Sequence, residues 1–167
     1  MLELRVLTPD DWPLWRELRL AALAEAPDAF GETLAGWQGE RDREERWRDR
    51  LSIPGGRDFV VLLEGRPVGM ASGVPGEDED TIELISMWVS PAARGRGVGD
   101  RLIEAVAHWA AEGGARTLRL SVVETNARAT ALYERNGFVE TGELGDLRPD
   151  GVTRERVLVR SLCDQSS

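Results

Sequence analysis

Apolar positions change period several times along the chain, and each change marks an element. Leu2, Leu4 and Val6 alternate with Glu3 and Arg5, which predicts a first strand over 2–7. Thr8, Pro9 and Asp11 form a helix-start signal, and Trp12, Trp15, Leu18 and Ala22 then recur at helical spacing, with Pro27 near the end of that helix. Residues 26–39 read as connection, and the charge-dense 40–51 as a second helix with Trp47 and Leu51 one turn apart. After Pro54, Gly55 and Gly56, two strands at 59–63 and 68–74 flank the turn Glu64, Gly65, Arg66. A strand over 82–89 follows, then a helix over 98–112 with Val98, Leu102, Ala105, Val106 and Trp109 on one side. The last elements are a strand at 118–123, a helix at 127–135, a short strand at 138–141, a turn at Pro149, Asp150 and Gly151, and a strand at 152–158.

This order predicts seven strands and four helices. Crossovers at the centre and hairpins around them imply an α/β fold (α+β by some schemes): one mixed, twisted sheet covered by helices on its faces. With 167 residues, one domain over 1–160 and a polar tail over 161–167 is the expectation. A hydrophobic share of 41% and a charged share of 31% place the chain among soluble globular proteins. No secretory signal is read in MLELRVLTPDDW and no stretch has the roughly 20 apolar residues of a membrane span, so the cytoplasm is the expected location.

The net charge of −9 argues against a nucleic-acid face, which needs concentrated basic side chains. All 21 basic side chains are Arg. Glu77, Asp78, Glu79 and Asp80 read as a solvated turn, and the lone Cys163, near the C-terminus, has no partner for a disulfide or a metal site. The single His108 stands mid-helix without ligand partners, so no metal is expected.

Candidate chemistry begins after the strand ending at Val89. The turn Arg94, Gly95, Arg96, Gly97, Val98, Gly99 opens a helix whose first amides lack internal partners and carry partial positive charge, a fit for a pyrophosphate. The glycines permit a tight turn and close approach, and Arg94 and Arg96 supply mobile positive charge. A nicotinamide-dinucleotide loop is a poor match, because the glycines follow a central strand and no acid stands about 20 residues on. A P-loop is excluded by the missing Lys. Farther on, Asn126 is suited to cap a helix and Gly137 to end it, while Tyr133, the only Tyr, is either ordinary core or a functional phenol.

Arg94 to Gly99 resembles the Q/R-x-x-G-x-G/A acetyl-CoA signature of the GNAT superfamily of N-acetyltransferases. Asn126, Ala129, Leu132, Tyr133, Gly137 and Phe138 resemble its second hallmark, N-x-x-A-x-x-L-Y-x-x-x-G-F. The likeness extends over nearly the whole chain. It implies transfer from acetyl-CoA to an amine in a ternary complex, with backbone amides of 94–99 on the pyrophosphate and Asn126 on the cofactor arm. Met87, Trp88 and Val89 would pair with that arm, one of their amides facing the thioester oxygen, while the two central parallel strands part to admit it. Tyr133 would protonate the leaving thiolate. Glu83 matches the position of a general base in some members; alternatively it is an ordinary strand residue or a substrate-binding carboxylate, and Ser86 offers a water-linked relay. Alternation places Glu83 on one face with Ile85, Met87 and Val89.

The partners so implied are acetyl-CoA and an amine acceptor, with no nucleic acid and no membrane. Trp12, Trp15 and Trp37 are core residues or acceptor-pocket walls, and Asp28 and Glu32 are candidates to meet a cationic substrate. Homodimers are common in that superfamily, and the strand at 152–158 is the candidate edge. Two other readings stay open: a peptide or protein N-terminal or lysine acetyltransferase, and a non-catalytic acetyl-CoA sensor on the same fold.

Overall fold

The computed structural model describes residues 1–26, 33–147 and 151–162. Its strands are β1 (Leu2–Val6), β2 (Arg57–Leu63), β3 (Arg66–Pro75), β4 (Thr81–Val89), β5 (Thr117–Val123), β6 (Val139–Leu147) and β7 (Arg154–Ser161), and its helices are α1 (Trp12–Glu25), α2 (Glu44–Arg50), α3 (Val98–Glu112) and α4 (Ala127–Arg135). The seven strands form one mixed sheet in the order β1-β2-β3-β4-β5-β7-β6. Only β4 and β5 pair in parallel; every other neighbour is antiparallel. The expected sheet and helix count is therefore what the chain adopts.

Two cores explain the three layers. On one face Leu102, Ile103, Val106 and Ala110 of α3 pack on Phe59, Val61, Leu118, Leu120 and Leu158. On the other, Trp15, Leu18 and Leu23 of α1 and Trp47 of α2 cover Val60, Leu62, Met70 and Trp88. Successive residues of β2 thus enter opposite cores, which is why that strand is an unbroken apolar run. Trp15 and Trp37 are buried in the second core, and Trp12 packs against it. The hairpin from β2 to β3 turns through Glu64 and Gly65 at φ 52° and 81°, the left-handed pair that matches strand twist.

Several boundaries differ from the sequence expectation. Helix α1 starts at Trp12 because Pro9–Asp11 forms a 3-10 turn, in which the Thr8 amide donates to Asp11 at 2.8 Å. Helix α2 is shorter than 40–51, since a separate 3-10 turn occupies Gly39–Arg41. Strand β6 runs on to Leu147, and the last strand lies two to three residues later than its alternation indicated. That last strand is not an edge: β7 is inserted between β5 and β6, leaving β6 and β1 at the margins. Long-range pairing decides this order, and no local pattern encodes it. The acids at 77–80 form an exposed turn, and His108 is a surface residue 3.2 Å from Glu112. Pro27, Asp28, Glu32, Cys163 and the Pro149–Asp150 turn lie outside the described residues. Among the described residues no helix is long and apolar enough to cross a membrane.

Asp42 ties α1 to the start of α2. It accepts from Arg16 Nε at 2.9 Å and from the Trp47 indole at 2.7 Å, and these bonds, that from Arg16 foremost, bring its carboxyl from the ordinary 3.8 down to about 2. A depressed carboxyl stabilises the fold above its unfolded pKa, and that contribution is lost as pH falls through the folded value. The melting temperature of Asp42→Asn should therefore lie below that of the unsubstituted protein at pH 5–7, with the gap closing between about pH 4 and pH 2. Thermal melts of both proteins across that range check the sign.

Candidate active site

The site originates where β4 and β5 stop pairing. Their parallel ladder holds only Thr81, Ile82 and Glu83 against Thr117, Leu118 and Arg119; beyond Glu83 the strands part. The far edge of β4 is then without strand partners, although backbone N–H and C=O groups need them. A cavity of about 650 Å³ lies at this opening. Met87, Trp88 and Val89 contribute one wall, the turn into α3 the second, and Asn126 together with Ala129, Leu132 and Tyr133 of α4 the third.

The glycines of the turn divide their work. Gly95 and Gly97 sit at φ 83° and 82°, with open space where a Cβ would stand. Such left-handed positions favour glycine, and they lead into α3 with its first amides at the cavity. Gly99 serves another purpose. Inside the first turn of α3, a Cβ on it would come within 2.9 Å of Leu132 Cδ2, so its bareness lets α3 and α4 close on each other.

The arginines depart from expectation. Arg94 is not a mobile charge: its Nη2 donates to Glu25 at 2.9 Å and its Nε to the Val89 carbonyl at 3.1 Å. Arg96 is exposed and does not line the cavity. Two other arginines do, Arg128 and Arg135, the latter donating to Asp100 at 3.0 Å. Glu25, the last residue of α1, also lines it and accepts from the Trp88 indole at 2.9 Å. That indole bond, reinforced by Arg94, holds Glu25 below the usual carboxylate range. Glu25 and Arg128 are cavity residues that the sequence pattern does not single out. The only signals for them were a charge closing an amphipathic helix and a basic residue two positions after a cap.

Asn126 caps α4 by accepting from the Ala129 amide at 3.2 Å, which commits its oxygen and leaves its amide hydrogens as donors. Tyr133 is buried on the cavity wall with its ring edge-on to Phe138, centroids 5.8 Å apart. Burial pushes its phenol up from the ordinary 10.0, so the hydroxyl keeps its proton at neutral pH. Trp12, Trp15 and Trp37 do not reach the cavity; Trp88 is its tryptophan.

Glu83 stands apart from this group. It does not line the cavity but occupies the apex of the opening, where Arg119 Nη1 donates to it at 2.7 Å. Nor does it share a face with Met87 and Val89. Met70 pairs with Trp88 and Ser72 with Ile85, so Ala71 alone faces both Ser86 and Met87. This bulge inserts one residue and inverts the alternation. Ahead of it Ile82 and Leu84 enter the α3 core, and after it Met87 and Val89 do, which puts Glu83 on the opposite face.

Gly99→Ala should press α4 outward, costing about 1–3 kcal/mol of stability by overpacking and weakening ligand binding in the cavity. In a Leu132→Ala background, where the methyl groups in the way are gone, the same Gly99→Ala change should cost little further stability; thermal melts of both single variants and the double variant provide the check.

Comparison with known proteins accords with this geometry. The model of the Acetyltransferase (GNAT) family matches residues 15–138. An uncharacterized N-acetyltransferase of Mycobacterium bovis is 30% identical over 74% of this chain and 79% of its own length. N-acetylaspartate synthetase of Danio rerio is 33% identical over 58% of this chain, a stretch that is 34% of that protein. The aminoglycoside N(6')-acetyltransferase type 1 of Stenotrophomonas maltophilia is 27% identical over 83% of this chain and 86% of its own. Among solved structures, a GCN5-related N-acetyltransferase from Kribbella flavida superposes with a TM-score of 0.78 at 27% identity, covering 96% of this chain and 98% of that one. Spermidine N-acetyltransferase from Vibrio cholerae, in complex with CoA and spermine, shares the fold with a TM-score of 0.76 at 20% identity over 96% and 95% of the two chains. With its family model spanning most of the sequence, the chain belongs to the acetyltransferase (GNAT) family and is an acetyl-transferring enzyme.

Proposed function

We propose that the protein moves the acetyl group of acetyl-CoA to the primary amine of a small molecule, by direct attack with both substrates bound. The observation that carries this reading is the unpaired edge of β4 facing a cavity that opens onto the glycine turn and the start of α3. An extended amide-bearing chain fits beside such an edge as an added strand would, and a pyrophosphate fits helix-start amides next to glycines with open space around them. The residues present therefore suit acetyl-CoA, whose thioester supplies the activated acetyl group.

Within that reading, the backbone of Met87, Trp88 and Val89 aligns the pantetheine arm, and an amide among them polarises the thioester oxygen. The turn Arg94, Gly95, Arg96, Gly97, Val98, Gly99 takes the pyrophosphate through its amides rather than through a free guanidinium, since Arg94 is already engaged. The amide hydrogens of Asn126 orient the arm. Tyr133 donates its proton to the departing thiolate, a role suited to a phenol kept protonated by burial. Glu83, at the apex of the opening, receives the acceptor's proton through water, because it does not border the cavity itself.

A small amine is favoured as acceptor by relatives named for small molecules, an aminoglycoside N(6')-acetyltransferase and an N-acetylaspartate synthetase, the former matched over most of this chain.

Thiol release from acetyl-CoA, measured over polyamines, aminoglycosides, amino acids and N-terminal peptides with mass detection of product, should yield acetylated product from a small amine. Product from peptides alone would transfer the assignment to protein acetylation, and saturable acetyl-CoA binding without product would point to a sensor. With the active acceptor, Glu83→Gln should lower kcat by roughly 10²–10⁴-fold, and Tyr133→Phe by about tenfold, because a thiolate leaves fairly readily without protonation.

A further inference from the structure

A buried polar cluster on the face of the sheet covered by α1 and α2 takes no part in the site described so far. Arg50, the last residue of α2, donates from Nη1 to Asp58 at 3.0 Å and from Nη2 to Ser72 at 3.1 Å and to Ser86 Oγ at 2.9 Å. Ser72 in turn donates to Asp58. Asp58 and Ser72 are buried, the Arg50 side chain is 15% exposed, and its guanidinium lies 4.8 Å from the centre of the Trp15 ring. One arginine therefore spans β2, β3 and β4 at once. Neither Arg50 nor Ser86 lines the cavity.

Ser86 is also where β4 is strained. Its φ is +56°, and among the described residues the only other non-glycine with positive φ is Glu64, in a hairpin turn. A side chain in the left-handed region raises the energy and persists only where the surroundings enforce it. The enforcement visible here is the bond from Arg50. What it enforces is the bulge that turns Met87 and Val89 toward α3 and the cavity, at the stretch of β4 released from β5.

We propose that Arg50 is a positioning residue for acetyl transfer: by gripping the Ser86 hydroxyl it fixes the left-handed bulge of β4 that sets the Met87 backbone at the cavity. The inference rests on the reading that this cavity takes acetyl-CoA.

Calorimetric titration with CoA, steady-state kinetics with the active acceptor and thermal melts on five proteins test it: unsubstituted, Ser86→Ala, Ser86→Gly, Arg50→Lys, and Arg50→Lys combined with Ser86→Gly. Ser86→Ala leaves Arg50, Asp58 and Ser72 intact but removes the grip, so CoA affinity should fall about tenfold as the bulge relaxes toward ordinary strand geometry. Glycine adopts the left-handed conformation without a tether, so Ser86→Gly should bind CoA within about threefold of the unsubstituted protein. Arg50→Lys keeps a cation beside Asp58 but loses the fork that reaches both serines; it should resemble Ser86→Ala, and adding Ser86→Gly should restore CoA binding without restoring the melting temperature. That rescue separates positioning from general stability.

Unchanged CoA affinity and turnover in Ser86→Ala would overturn the proposal. So would equal loss of turnover in Ser86→Ala and Ser86→Gly with CoA affinity retained, which would make the hydroxyl a proton relay. If the unsubstituted protein binds no CoA, the cofactor reading fails first and the proposal with it; if it binds and the series is flat, only the proposal fails.

Discussion

The structure depends on a parallel pairing that stops early. Three residues of β4 pair with three of β5 and then the strands separate, leaving backbone donors and acceptors of β4 without a neighbouring strand in the middle of a seven-stranded sheet. Sheets do not ordinarily leave such groups unpaired, because each costs free energy when removed from water without a partner. An opening there is sustainable only if water or a ligand supplies the missing bonds and if the rest of the sheet keeps the strands fixed. Both strands are anchored on their other sides: β4 pairs with β3 as far as Val89, and β5 pairs with β7 along its whole length. The late insertion of β7 between β5 and β6 is thus part of what lets β5 diverge from β4 without coming loose.

The cores reinforce this geometry from both faces. Helix α3 packs on Phe59, Val61, Leu118 and Leu120, bridging strands on either side of the opening, and its first turn meets α4 at the Gly99 and Leu132 contact. On the opposite face Trp88 lies among Trp15, Trp47 and Met70 while its indole N–H reaches Glu25 at the end of α1. A single residue of β4 therefore connects the second core to the cavity wall. Glu25 passes the connection to Arg94, so the end of α1, the end of β4 and the start of the glycine turn are held as one unit.

Much of this was legible in the residues, though unevenly. The seven strands and four helices followed from periodicity, because each apolar face had to meet a core. The glycine turn and the Asn126 cap carried their own local chemistry and lay where expected. Strand order was not legible: the alternation of Val152 to Leu158 is the same for an interior strand as for an edge. The face of Glu83 is not legible from alternation, because a period of 2 assumes an unbroken strand and the bulge at Ser86 has no glycine to announce it. Nothing local announces the fixing of Arg94, because its partner Glu25 stands 69 positions away. In each case the missing information was a long-range contact.

The bulge also bears on how a serine comes to stand at a left-handed position at all. Glycine would adopt φ +56° without steric cost, as it does at Gly95 and Gly97. Glycine would equally adopt the ordinary strand conformation, and beyond Glu83 β4 has no β5 partner to choose between the two. A serine held by an arginine from another element removes that freedom: the left-handed form has a hydrogen-bonded partner, and the extended form forfeits it. Binding in the cavity then has less backbone entropy to overcome, since the strand that must meet the ligand is already ordered. The cost of holding Ser86 in a disfavoured region is offset in the buried cluster around Arg50, on the far side of the strand from the residues that face α3. The contacts that compensate the strain thus lie on the face covered by α1 and α2, which leaves the cavity-facing edge of β4 unobstructed.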